Sequence, residues 1–142
     1  TKRGYNWKSA VKIIKERPLF GHGPATYKRS FAPYQDGWKR LENTVVDSAH
    51  NDFLQIGAER GSIGLLLYLS FIASLFIRAL KAYDKQGLSS LIPIFLCACV
   101  GYLVHIFFSI TLAIYTPAFY ILAGMLNYQI RHTGGVNNTC MQ

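Results

Sequence analysis

One histidine, His50, stands in the stretch Val46-Asp47-Ser48-Ala49-His50-Asn51-Asp52-Phe53-Leu54-Gln55, and Glu59-Arg60-Gly61-Ser62-Ile63-Gly64 follows shortly after. Imidazole titrates near neutral pH and can take a proton from a hydroxyl, so a histidine here is a candidate general base. A second candidate is Arg3, whose planar fork of donors is suited to phosphate oxygens. The residues around His50 suggest how it would be held. Asp47 or Ser48 is the expected N-cap, which puts His50 in the first turn of a helix. At about 100° per residue, Phe53, Leu54, Gly57 and Gly61 share its face, while Gln55 and Glu59 point away. The helix is expected to run through Gly61 and Gly64 straight into an apolar span. The plainer reading of the same residue is a solvated or capping histidine at a helix start.

Other chemistries find less support. No acidic cluster with metal-ligand spacing precedes the apolar region, which makes a metal-free, cofactor-free reaction the simpler expectation. No Gly-x-Ser-x-Gly occurs. Cys97 and Cys99 sit two apart inside an apolar run and Cys140 lies in a polar tail, a pattern of free thiols rather than of disulfides or a metal site.

The elements that must position His50 and Arg3 come next. Trp7, Ala10, Val11 and Ile14 form one apolar face of a helix over residues 4 to 16, with Lys8, Lys12 and Lys15 on the other side. This helix either lies on a membrane surface or packs on protein. Pro18 ends it, because the residue before a proline is pushed out of the helical region. Gly21-His22-Gly23-Pro24 is a tight turn with His22 expected at its exposed tip. Residues 25 to 46 have no clean period; Tyr27, Phe31, Tyr34 and Trp38, interleaved with Lys28, Arg29, Lys39 and Arg40, either stack on sugars and neutralise phosphates or, the favoured reading, serve as membrane-interface anchors.

From Leu88 to Ile130, 43 residues pass without a Lys, Arg, Asp or Glu, and His105 lies within them as an expected structural histidine. A soluble core helix does not need such a length, whereas two spans of about 20 residues do. The expected fold is all-α: a polytopic membrane protein fragment with three transmembrane helices at about 62–80, 91–110 and 112–130. Residues 1–60 form an external loop with short amphipathic helices, and 132–142 a disordered tail. Of the net charge of +8, +5 lies in residues 1–60, which hold 11 Lys and Arg against 6 Asp and Glu. Basic residues beside spans point to lipid phosphates rather than nucleic acid. Positive charge at 78–85 and at Arg131 makes those ends cytoplasmic by the positive-inside rule, so residues 1–60 lie outside. The chain does not begin with Met and reads as the C-terminal portion of a longer one.

Three motifs resemble those of the O-antigen ligase and polymerase superfamily. They are Arg3-x-x-x-Trp7; Glu16-x-Pro18-Leu19-Phe20-Gly21-x-Gly23-Pro24; and His50-Asn51-Asp52-Phe53-Leu54-Gln55 with Glu59-x-Gly61-x-x-Gly64. The resemblance covers residues 3 to 64. It implies a polytopic protein of the bacterial inner membrane with residues 1–60 periplasmic. The reaction implied is transfer of a glycan from an undecaprenyl-diphosphate carrier to a lipid or glycan hydroxyl. His50 would be the base on the acceptor, and Arg3 the partner of the donor diphosphate. Membrane lipids and the missing helices of a parent chain would be its partners. Ligation, polymerisation and transfer to protein hydroxyls share these motifs. A flippase or transporter is the rival class, but one would be expected to place charges within its spans.

Overall fold

The computed structural model describes residues 2–34, 46–86, 91–109 and 115–139. In chain order the helices are α1 (Lys2–Glu16), α2 (Tyr27–Phe31), a 3-10 turn (Ala32–Tyr34), α3 (Asp52–Gln86), α4 (Ile92–Phe108) and α5 (Tyr115–Thr139). The all-α expectation holds, with no strand among the described residues. Trp38, Lys39, Arg40, the 112–114 end of the third expected span and Cys140 lie outside the described residues.

The chain divides into two units: residues 1–68 with 106–110, and residues 69–105 with 111–142. The first is built around Ala10 and Ile13 of α1, Tyr27 and Phe31 of α2, Ala49, and Ala58 of α3, all buried. Gly57 lets α1 approach closely, since a Cβ there would stand 3.0 Å from Ile14 Cδ1. Tyr27 and Phe31 are stacked, with ring centroids 5.9 Å apart, and Tyr5 meets Phe31 edge-on at 6.2 Å. Tyr27 and Phe31 are therefore core residues of this unit and not membrane anchors. Their spacing of four puts both rings on one side of α2, and burying two aromatics against α1 outweighs leaving them at an interface.

In the second unit Leu75, Ala79 and Ala82 of α3, Ile92 and Cys99 of α4, and Phe119, Ala123 and Leu126 of α5 are buried together. Each set repeats at three, four or seven residues, so each helix turns one face inward. Tyr102 stacks on Phe119 with centroids 4.4 Å apart. Other faces carry exposed apolar side chains, among them Leu80, Ile94, Ile121 and Met125.

One described helix segment, Asp52–Asp84, is long and apolar enough to cross a membrane, and only 11% of its most apolar window is buried, unlike the core helix of a soluble protein. Helix α4 is 17 residues, about 25 Å at 1.5 Å per residue, against a hydrocarbon core of about 30 Å. Helix α5 continues to Thr139, past residue 130, where the third span was expected to end and a tail to begin.

Candidate functional site

The helix expected to run unbroken through Gly61 is interrupted there, at φ 70° and ψ −174°. Such a break leaves carbonyls without partners before it and amides without partners after it. The Pro18–Gly23 turn supplies both. The amides of His22 and Gly23 donate to the carbonyls of Ala58 and Glu59 at 3.0 and 2.8 Å, and the amides of Ser62 and Ile63 donate to those of Pro18 and Leu19 at 2.7 and 3.4 Å. The crossing leaves no room for side chains. A Cβ on Gly61 would stand 2.2 Å from the Leu19 oxygen, and one on Gly21 would stand 2.5 Å from the Glu59 carbonyl. Both glycines also have positive φ. Two motifs far apart in sequence thus form one interlocked piece.

His50 lies just before α3 rather than in its first turn, and its φ is 50°, a left-handed conformation uncommon for a side-chain-bearing residue. Asn51, not Asp47 or Ser48, is the N-cap. Its Oδ1 accepts the Leu54 amide at 3.0 Å and its carbonyl accepts the Gln55 amide at 3.0 Å. On the other side of His50, the Ala49 amide donates to Gln55 Oε1 at 3.4 Å, Gln55 Nε2 donates to Glu59 Oε1 at 3.4 Å, and Glu59 Oε2 accepts the Ala25 amide at 3.1 Å. Both neighbours of His50 are pinned to α3, and the chain of hydrogen bonds continues to the segment after the Pro18–Gly23 turn. The half-buried imidazole is held by its backbone in a conformation that costs energy, a trait that collects at functional sites.

Gln55 and Glu59, expected to point away from the face of His50, are the residues that fix its approach. Their i, i+4 spacing was the available signal. Asn51 directly before an apolar helical run was a cap signal too, but Asp47 and Ser48 competed for the same role.

Arg3 is exposed in the first turn of α1, and Trp7 is one turn further on. The Trp7 ring meets Phe107 edge-on at 5.9 Å, Phe107 meets Phe53 at 6.3 Å, and Phe53 meets Tyr68 at 6.1 Å. Phe53 is three residues after His50, so one aromatic path ties the helix of Arg3 to the helix start beside His50. No hydrogen bond or ion pair joins the two candidates. Asn6 Oδ1, Trp7 Nε1 and Ser48 Oγ are buried in this unit with no hydrogen-bond partner within the protein.

His22 is not an exposed tip. Its side chain is 16% exposed, with Nε2 3.2 Å from the Ile13 carbonyl oxygen and 3.4 Å from Glu16 Oε2. The positive φ of Gly21 and Gly23 turns the chain back over the end of α1, which buries the ring. Tyr34 donates a hydrogen bond to the same Glu16 carboxylate, which raises its hydroxyl above the usual tyrosine value.

Residues 1–69 match the family model described as O-antigen ligase, a match that takes in Arg3, the Pro18–Gly23 turn, His50 and the Gly61 break. An uncharacterized protein of Haemophilus influenzae is 28% identical over 102 residues, covering 70% of this chain and 24% of that protein. The chain thus spans about a quarter of that relative's length. No solved structure matches.

Proposed function

We propose that this chain, whose residues 1–69 match the O-antigen ligase family, is the C-terminal part of a membrane glycosyltransferase that moves a glycan from undecaprenyl diphosphate to a hydroxyl. The observation that carries the proposal is His50, kept at φ 50° between an anchored Ala49 and a capping Asn51. In the reaction the acceptor oxygen attacks the anomeric carbon as its proton passes to the His50 imidazole. The bond from that carbon to the diphosphate breaks, and the leaving diphosphate keeps the electron pair. Arg3 neutralises the charge that grows on it, and such charge-assisted pairing is strongest where charge develops in the transition state.

Helix α3 is the first span, and α4 and α5 complete a three-span arrangement in the inner membrane, with residues 1–60 on the periplasmic side. The apolar faces of the second unit and the charges at Arg78, Lys81 and Arg131 support that placement. The acceptor is a lipid or glycan hydroxyl. Polymerisation of repeat units and transfer to protein hydroxyls use the same residues. The chain works with the further helices of a longer protein, because the relative it matches extends well beyond it.

The test is the glycan profile of a strain lacking the gene, complemented with the full-length parent. Loss of all attached polymer identifies a ligase, and single capped units identify a polymerase. An unchanged profile contradicts the proposal.

A further inference from the structure

We infer that the cleft between α3 and α5 in the second unit binds one anionic phospholipid with a hydroxyl-bearing headgroup, of the phosphatidylglycerol class. The cleft has a volume of about 350 Å³, and its walls include Phe71, Leu75 and Arg78 from α3 and Tyr120, Gly124 and Asn127 from α5. Phe71 and Tyr120 meet with ring centroids 6.3 Å apart. Arg78 and Asn127 each lie seven residues, two turns or about 10 Å, further along their helices. The cleft therefore has an aromatic, apolar end and a polar end.

The polar end is where the apolar run of α3 stops. Lys81 follows Arg78 by one turn, and Arg131 follows Asn127 by one turn. Asn127 Oδ1 is buried and accepts no hydrogen bond from the protein. An unpaired buried acceptor is costly, and a donor that reaches it is correspondingly favoured. Phosphatidylglycerol answers both groups, its phosphate accepting from the Arg78 guanidinium and a headgroup hydroxyl donating to Asn127. Its acyl chain lies along Phe71, Leu75 and Gly124. Apart from Gly124's own stretch of helix, no atom lies within 4 Å of the place a Cβ on Gly124 would take, so that part of the wall is open. A choline headgroup has no hydroxyl or amine hydrogen to donate, and its net charge is zero, so it satisfies neither group as well.

This inference rests on the membrane placement of α3 but not on glycan transfer. The chain, purified in detergent, is offered equal amounts of phosphatidylglycerol and phosphatidylcholine with identical acyl chains, and retained lipid is read by native mass spectrometry. One phosphatidylglycerol is expected to be retained, with roughly tenfold preference over phosphatidylcholine, the scale of one charge-assisted hydrogen bond. Arg78→Gln should abolish the preference while Arg78→Lys keeps most of it, and Asn127→Leu should reduce it. Gly124→Leu should lower retention of both lipids by filling the cleft. His50→Ala should bind lipid as the parent chain does, which separates this site from the transfer reaction. Equal retention of the two lipids, or a preference untouched by Arg78→Gln, overturns the inference. So does a full-length parent that shows no preference in the same assay, since the cleft would then be covered by other parts of that protein.

Discussion

Gly61 and Leu19 touch backbone to backbone: a Cβ on Gly61 would fall 2.2 Å from the Leu19 carbonyl oxygen, and the Ile63 amide donates to that same oxygen at 3.4 Å. The Pro18–Gly23 turn is thereby the splice at the break in α3, and the geometry of the helix that follows His50 depends on it. Gly61→Ala should cost more than about 1–3 kcal/mol, the usual penalty for a left-handed non-glycine residue, because the clash adds to it. Gly21→Ala, with its Cβ 2.5 Å from the Glu59 carbonyl, should act similarly. Gly23→Ala, where the nearest side-chain atom would be 3.5 Å away, should suffer the φ penalty alone. Thermal unfolding of the purified full-length variants, with hydrogen exchange of the Ser62 and Ile63 amides, checks this. Unchanged melting and protection in Gly61→Ala would contradict the splice.

Tyr27 offers a pH test of the first unit. Its side chain is buried and its hydroxyl donates to the Asn6 carbonyl at 3.4 Å. Burial penalises the phenolate and raises the hydroxyl well above its ordinary value of 10.0. The folded value lies above the unfolded one, so the contribution to stability is whole below pH 10.0 and is lost as pH rises beyond it. Stability measured from neutral to strongly alkaline pH should fall more steeply for the parent than for Tyr27→Phe. Parallel curves would mean that Tyr27 titrates freely.

Much of the first unit was legible in the sequence for a physical reason: α1 declares itself through Trp7, Ala10, Val11 and Ile14 at helical spacing, and Pro18 stops it. The break in α3 was not. Gly61 at the start of an apolar run is compatible with a continuous helix, and the carbonyls of Pro18 and Leu19 with the amides of His22 and Gly23, some forty residues earlier, make the break favourable. His50 as the candidate base was legible from its type and surroundings. Its left-handed backbone was not, since that depends on Gln55 reaching back to Ala49. Tyr27 and Phe31 were misread because aromatics beside Lys28 and Arg29 serve an interface as readily as a small core, and the local pattern does not distinguish the two.

Arg3 is expected to bind the donor diphosphate. In the full-length parent Arg3→Lys keeps the charge but loses the bidentate fork, so kcat/KM for donor should fall by about tenfold to a hundredfold, the scale of a charge-assisted hydrogen bond of about 1.5–3 kcal/mol. Because Arg3 is exposed at the start of α1, folding and membrane insertion should be unaffected. Near-normal turnover at limiting donor would remove Arg3 from the site.

The most direct test of the account is the transfer rate of purified full-length His50→Ala, with expression, insertion and donor binding measured separately. Positioned base catalysis contributes about a hundredfold to ten-thousandfold, so the variant should lose about 3–5 kcal/mol of barrier lowering at about 1.4 kcal/mol per tenfold. His22→Ala, which removes the contacts to Ile13 and Glu16, should cost far less. If His50→Ala keeps more than about a tenth of the parent rate, well above what loss of a general base allows, another group takes the proton and the central claim fails.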